Sequence, residues 1–201
     1  MPDIKHFDPD KALERAEHLF WRLGAATVSI QAVTAETGLN RSSLYATFGG
    51  KRQLYLAALR RYVRERARPA CERLAGDGRG LPAVQEAFDA LIDQRCSGAY
   101  AGWGCMLVNA HAGGEAEDPD VRAVLEDHHR RLRGAMAEAL AAARAEGQLA
   151  RHVDIDATAE ALVLLAYGVN LRSRAGAGAE ALRHTVATTL AGLKAPAPRA
   201  D

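Results

Sequence analysis

Residues 27–55 hold two short amphipathic runs joined at a glycine, each too short to persist as an isolated helix. Thr27 and Ser29 offer side-chain oxygens to cap the first run, and Ile30 with Val33 gives it one apolar face. Such a helix must lean on another. Gly38 falls where the chain reverses, a position that commonly requires a left-handed backbone, and Leu39 follows it as an apolar plug. Asn40 is a good N-cap for the second run. There Leu44 and Phe48, four residues apart, point inward, while Arg41, Ser42, Ser43, Tyr45 and Thr47 stay outside. The spacing predicts a helix-turn-helix. In such motifs the first residues of the second helix reach base edges in the major groove, while hydroxyls and cations nearby hold phosphates.

The run Leu44-Tyr45-Ala46-Thr47-Phe48-Gly49-Gly50-Lys51, preceded by Thr37-Gly38-Leu39-Asn40-Arg41-Ser42-Ser43, resembles the DNA-binding signature of the TetR family of bacterial transcriptional regulators. The likeness is strongest over residues 12–60. It implies an all-α homodimer of about nine helices: an N-terminal three-helix helix-turn-helix domain over 1–50, a helical ligand-binding and dimerisation domain over 51–193, and a flexible tail over 194–201. By the same resemblance Arg41, Ser42 and Ser43 fall on recognition-helix positions. Tyr45, Thr47 and Lys51 fall on positions that touch bases or the DNA backbone, and Thr27 joins them as a DNA-binding candidate. Gly50 and Arg52 stand where relatives often carry a capping Asp or Ser and a Glu, and Thr34 and Thr37 replace the usual alanines.

With 201 residues, 48% of them hydrophobic, the chain has enough apolar mass for a real core. Its net charge is only +1, so affinity for DNA must come from local placement of cations, such as Arg22, Arg41, Lys51 and Arg52. Arg60, Arg61, Arg64, Arg66 and Arg68 read as a solvated helix face. No apolar run approaches the roughly 20 residues needed to span a bilayer, and the N-terminus lacks the basic start and apolar core of a signal peptide. Three cysteines without paired spacing fit a reducing compartment. The expected location is the cytoplasm, with no membrane partner.

Helical periodicity continues along the chain. Asp8-Pro9 starts a helix whose stripe of Ala12, Ala16, Leu19, Phe20 and Leu23 ends at Gly24, and Pro69 should kink or end the fourth helix. Pro82 opens another, Cys105 to Ala112 form a nearly all-apolar helix that must be surrounded by protein, and Asp118-Pro119 starts the longest one, stopped at Gly147. The last two helices, after Asp154 and from Ala179 to Leu193, are rich in small residues. Ala161, Leu165, Val169, Leu182, Val186 and Leu190 on them are the candidate contacts of an isologous four-helix dimer interface.

Between the middle helices, Tyr62, Phe88, Tyr100, Trp103, Cys105, Met106, Asn109, His111, His128 and Tyr167 are the candidate lining of an apolar pocket, suited to a neutral or aromatic effector. Cys105 at the start of its helix suggests a reactive thiol, with Cys96 a possible resolving partner; some TetR regulators that sense electrophiles or oxidants use a cysteine in a similar place. The adjacent His128 and His129 point about 100° apart and cannot chelate one ion from one helix, so no metal is expected. No cofactor and no catalysis are expected either, since the nucleophile elbow, Walker loop, Rossmann fingerprint and metalloprotease motif are missing. The expectation is a repressor released from a palindromic operator by a small molecule. Its alternatives are a redox or electrophile sensor acting through Cys105, and a helical interaction protein or enzyme that no longer reads DNA.

Overall fold

The computed structural model describes residues 8–196. In chain order they form α1 (Pro9–Leu23), α2 (Ile30–Thr37), α3 (Arg41–Phe48), α4 (Lys51–Tyr62), a π turn (Val63–Ala67), α5 (Arg68–Asp77), α6 (Leu81–Cys96), α7 (Met106–Ala112), a 3-10 turn (Gly114–Glu117), α8 (Pro119–Ala145), α9 (Ile155–Arg174) and α10 (Ala179–Ala191). The fold is all-α. Because α4 passes into α5 through the π turn without a break, the ten α segments form nine helical rods, as the sequence leads one to expect. Pro69 does not end the helix. It follows just after the π turn, and the wider winding of that turn accommodates its ring and its missing N–H inside a continuous rod.

The described residues belong to two compact units. One runs to Glu65 and includes Met106–Leu125; the other comprises Arg66–Cys105 and the chain from Glu126 on. This packing division does not fall at residue 50: α4, α7 and the first turns of α8 pack with α1, α2 and α3.

In the first unit α1 is the central buttress. Ala16, Phe20 and Trp21 are fully buried along its inner face, with Phe20 edge-on to Tyr55 at 5.3 Å between ring centres and Trp21 to Tyr62 at 5.0 Å. Asp8 caps α1 by accepting from the Asp10 and Lys11 amides. The second unit has its own core. Val84, Phe88 and Ile92 of α6 interdigitate with Leu162, Val163, Ala166 and Val169 of α9 and with Leu182, Val186 and Leu190 of α10, while Leu140 and Ala143 of α8 close it. Lys194 forms an antiparallel bridge with Leu149, and the Ala195 amide donates to the Gln148 carbonyl, so the start of the expected tail is paired. Its remainder, 197–201, lies outside the described residues, as do residues 1–7. Among the described residues no helix is long and apolar enough to cross a membrane.

Candidate nucleic-acid interface

The sequence between α1 and α4 builds its geometry from local hydrogen bonds. Ser29 caps α2 by accepting from the Ala32 amide at 3.1 Å. Thr27 takes no part in that cap: its hydroxyl donates backward to the Leu23 and Gly24 carbonyls, a bond that closes the end of α1 instead. Gly38 ends α2 in the left-handed conformation, φ +74°, a region closed to most residues with a Cβ, and its amide closes on the Thr34 carbonyl. Thr37 is buried. Its hydroxyl donates to the Val33 carbonyl and accepts from the Leu39 amide at 3.3 Å, stitching the turn to α2.

Asn40 then caps α3. Its Oδ1 accepts from the Ser43 amide at 2.8 Å and from the Ser42 hydroxyl at 2.7 Å. Leu44 is the one fully buried anchor of α3, and Phe48 is half-buried rather than fully inward. Everything else on the helix faces out. Arg41, Ser42, Tyr45 and Thr47 are exposed, Tyr45 at 45% of its full accessibility, and Ser43 and Lys51 are half-buried beside them. The Arg41 guanidinium lies 5.9 Å from the centre of the Tyr45 ring. A polar helix face carrying a cation, three hydroxyls and an aromatic ring, held by one leucine and one asparagine cap, is chemically fitted to hydrogen-bond base edges and phosphates. The six candidates from Arg41 to Lys51 are thus grouped in one short stretch, α3 and the first residue of α4. Thr27 lies apart from them in sequence, at the α1–α2 corner. Gly50 supplies no side-chain cap to α4.

The effector candidates are divided between the units. Tyr62, Met106, Asn109 and His111 belong to the first; Phe88, Tyr100, Trp103, Cys105, His128 and Tyr167 belong to the second. His111 is exposed, because α7 ends one residue later and its last turn leaves the core, so the expectation that it lies in a buried helix is corrected. The Asn109 side-chain amide donates to the Trp21 carbonyl at 3.3 Å. Tyr62, Phe88, Cys105, Met106 and His128 are buried. In the second unit Tyr100 stacks edge-on to Trp103 at 5.0 Å, the Arg66 guanidinium covers the Tyr100 ring at 4.7 Å, and Arg174 donates to the Trp103 carbonyl. Tyr167 meets His129, which pairs with Glu160 at 3.2 Å. Burial, with Cys105 adding to it, pushes the Tyr167 hydroxyl up to about 12.

Two expectations about side-chain direction are also corrected. Val169, Leu182, Val186 and Leu190, expected at a dimer interface, are buried in the core of their own unit, because the apolar stripe chosen for the partner is the stripe that α6 covers. Ala161 is exposed and Leu165 half-buried. The outward apolar residues of α9 are Leu164, 59% exposed, and Leu171, 43% exposed, neither singled out from sequence. Arg61, read as part of a solvated face, is half-buried and paired at 2.7 Å with the fully buried Glu17 of α1. A shallow groove on α10 is lined by Glu180, Ala181, Arg183, His184 and Ala187, none of them an effector candidate.

The chain matches two family models over these same regions: bacterial regulatory proteins of the tetR family over residues 12–58, and the tetracyclin repressor-like C-terminal domain over residues 80–189. It is 27% identical over 186 residues to the HTH-type transcriptional repressor ComR of Escherichia coli, covering 92% of this chain and 89% of that one. It is 31% identical over 163 residues to the HTH-type regulator YezE of Bacillus subtilis, covering 79% and 81%. Among solved structures it is similar to a cysteine mutant of the TetR family regulator CifR complexed with 26-base-pair operator DNA, with a TM-score of 0.83 and 26% identity over 95% of this chain and 99% of that one. Together with the exposed, capped α3, these matches show that the chain belongs to the TetR family of DNA-binding transcriptional regulators.

Proposed function

We propose that the chain is a homodimeric repressor whose two α3 helices enter successive major grooves of a palindromic operator, about 34 to 36 Å apart. The observation that carries this reading is the outer face of α3, where Arg41, Ser42, Tyr45 and Thr47 are exposed together on a helix anchored by Leu44 alone. ComR, similar over nearly the whole chain, is named a repressor, and the similar CifR structure holds operator DNA. The reading surface lies within residues 1–50, and effector binding and dimerisation fall within 51–193. A second copy is recruited through α9 and α10. Ala161, Leu164, Gly168 and Leu171 recur at three- and four-residue steps along one face of α9, the spacing of a helix seam, and such a face left in water on a single chain favours an isologous pair. A neutral or aromatic small molecule that prefers a dimer with mismatched heads releases the operator. The site of action is the cytoplasm, where the DNA is.

Selection of bound DNA from a random pool tests this reading. The expected product is a palindrome with half-sites one helical turn or a whole multiple apart, bound with an affinity that falls steeply with salt. Recovery of no preferred sequence would sink it.

A second reading is a thiol sensor on the same scaffold, acting through Cys105, which stands just before α7; Cys71, Cys96 and Cys105 are all free thiols, Cys71 and Cys105 buried and Cys96 half-buried. Burial pushes the Cys71 thiol up to about 11, so at neutral pH it is protonated. Cys105→Ser would abolish operator release by electrophiles on this reading and leave it unchanged if the thiol is only packing.

A further inference from the structure

The corner between α1 and α2 is held by a carboxylate from far along the chain. Glu115, in the 3-10 turn before α8, accepts through one oxygen from the Ala25 amide at 2.7 Å and the Ala26 amide at 3.1 Å. Gly113 makes room for it: a Cβ there would stand 2.1 Å from the other oxygen, far inside contact distance. Gly24 ends α1 on the other side at φ +80°, a backbone that favours glycine, and a Cβ there would only touch the accepting oxygen at 3.4 Å. The carboxylate therefore sits in a cradle of two backbone donors, with glycine on both sides. Three residues beyond this cradle, Ser29 caps α2.

A second grip lies on the far side of the motif. Arg52, in the first turn of α4, donates through Nε to Asp118 at 2.5 Å and through Nη2 to the same carboxylate at 2.8 Å, and Nη2 also meets Asp120 at 2.6 Å. These bonds hold the Asp118 carboxyl below the usual carboxylate range. A shorter or uncharged side chain at position 52 could not make this fork. The acidic segment 115–120 thus holds both chain ends that enter and leave α2–α3, within one compact unit.

We infer that Glu115, seconded by the Arg52–Asp118–Asp120 fork, is a positioning element that sets how α3 is presented to DNA. The magnitudes argue for position over stability. Arg52 is half exposed and Asp120 more so, and solvent-exposed ion pairs contribute little to stability. A fork of that strength adds little to folding, but it defines direction, because a bidentate guanidinium fixes both distance and plane. Reading a base edge demands the same precision of direction.

The test uses the full chain, its operator selected as above, and a random duplex as control. Glu115→Ala and Gly113→Ala each raise the operator Kd by about tenfold, the equivalent of roughly 1.4 kcal/mol, with little change in the Kd for random DNA or in melting temperature. Glu115→Gln, which keeps an acceptor for the two amides, recovers most of the loss. Gly113→Ala added to Glu115→Ala costs little more, because the side chain that its methyl group displaces is already gone and only a 3.3 Å approach to the Asn109 carbonyl remains. Arg52→Asp weakens the operator complex, and combining it with Asp118→Arg restores part of the loss. Operator affinity unchanged within about twofold in Glu115→Ala, or operator and random DNA losing affinity in equal proportion as the fold melts, would overturn the inference.

Discussion

α3 buries one side chain fully in eight residues, whereas α9 buries seven in twenty and still exposes Leu164 and Leu171. The two helices use amphipathicity in opposite ways. In α3 the apolar side is a single peg, Leu44, and the polar side carries the function, so reading the pattern and reading the role are the same act. α9 is apolar on two sides over its middle turns. One of its faces closes on α6 and α10, another meets solvent in a single chain, and hydrophobicity alone cannot rank them. A short helix with one anchor therefore discloses its purpose, and a long one with two apolar faces discloses only that it has neighbours.

Removing the peg is the most severe way to break the comparison. Leu44→Ala should cost about 2–5 kcal/mol, the range for deleting a buried leucine, and operator binding should vanish with the ordering of α3, read by thermal melting and gel shift. The same leucine-to-alanine change at Leu164 should leave the melting of the monomeric fold nearly unaltered, since that side chain is 59% exposed. Leu164→Glu with Leu171→Glu should instead shift sedimentation toward monomer and weaken operator binding through loss of the second head. If the double variant remains a dimer, the seam lies elsewhere on the chain.

What the sequence discloses tracks the distance over which each contact acts. The capping of α3 by Asn40, the glycine turn at Gly38 and the all-α architecture each depend on residues within four positions of one another, and all are legible without coordinates. Glu115 is not. Its partners lie 90 and 89 residues away, it sits in a glycine-flanked turn that reads as plain loop, and the space that Gly113 leaves for its carboxylate shows only in three dimensions. The buried pairing of Glu17 with Arg61 fails for the same reason: both residues sit on charged-looking helix faces, and only packing of α1 on α4 turns them toward each other. Val169, Leu182, Val186 and Leu190 were visible as an apolar stripe, but a stripe names a face and not what covers it. His111 is exposed because α7 stops at Ala112, before the bend at Gly113, and the apolarity of the segment does not say where the helix ends.

Smaller perturbations sharpen the contrast within the reading head. Asn40→Ala removes the acceptor of the Ser43 amide and should cost about 1 kcal/mol of stability, with the Ser42 hydroxyl losing its partner as well. Operator affinity should fall by more than the lost stability implies, since Ser42 stands on the reading face; equal losses would mean that Asn40 serves folding alone.

Tyr45→Phe is the gentlest change and the most specific. The ring remains beside the Arg41 guanidinium and against Gly50, where a Cβ would already press at 3.2 Å, so packing and the pose of α3 are conserved and only a hydroxyl leaves. A neutral hydrogen bond contributes roughly 0.5–1.5 kcal/mol, which predicts a two- to tenfold rise in operator Kd, approximately, with an unchanged melting temperature. If the hydroxyl meets a phosphate, the loss is similar on operator and random duplex; if it meets a base edge, only the operator complex weakens. The ratio of the two Kd changes thus assigns the contact. No change on either duplex would leave Tyr45 outside the interface and reduce the functional face of α3 to Arg41, Ser42 and Thr47.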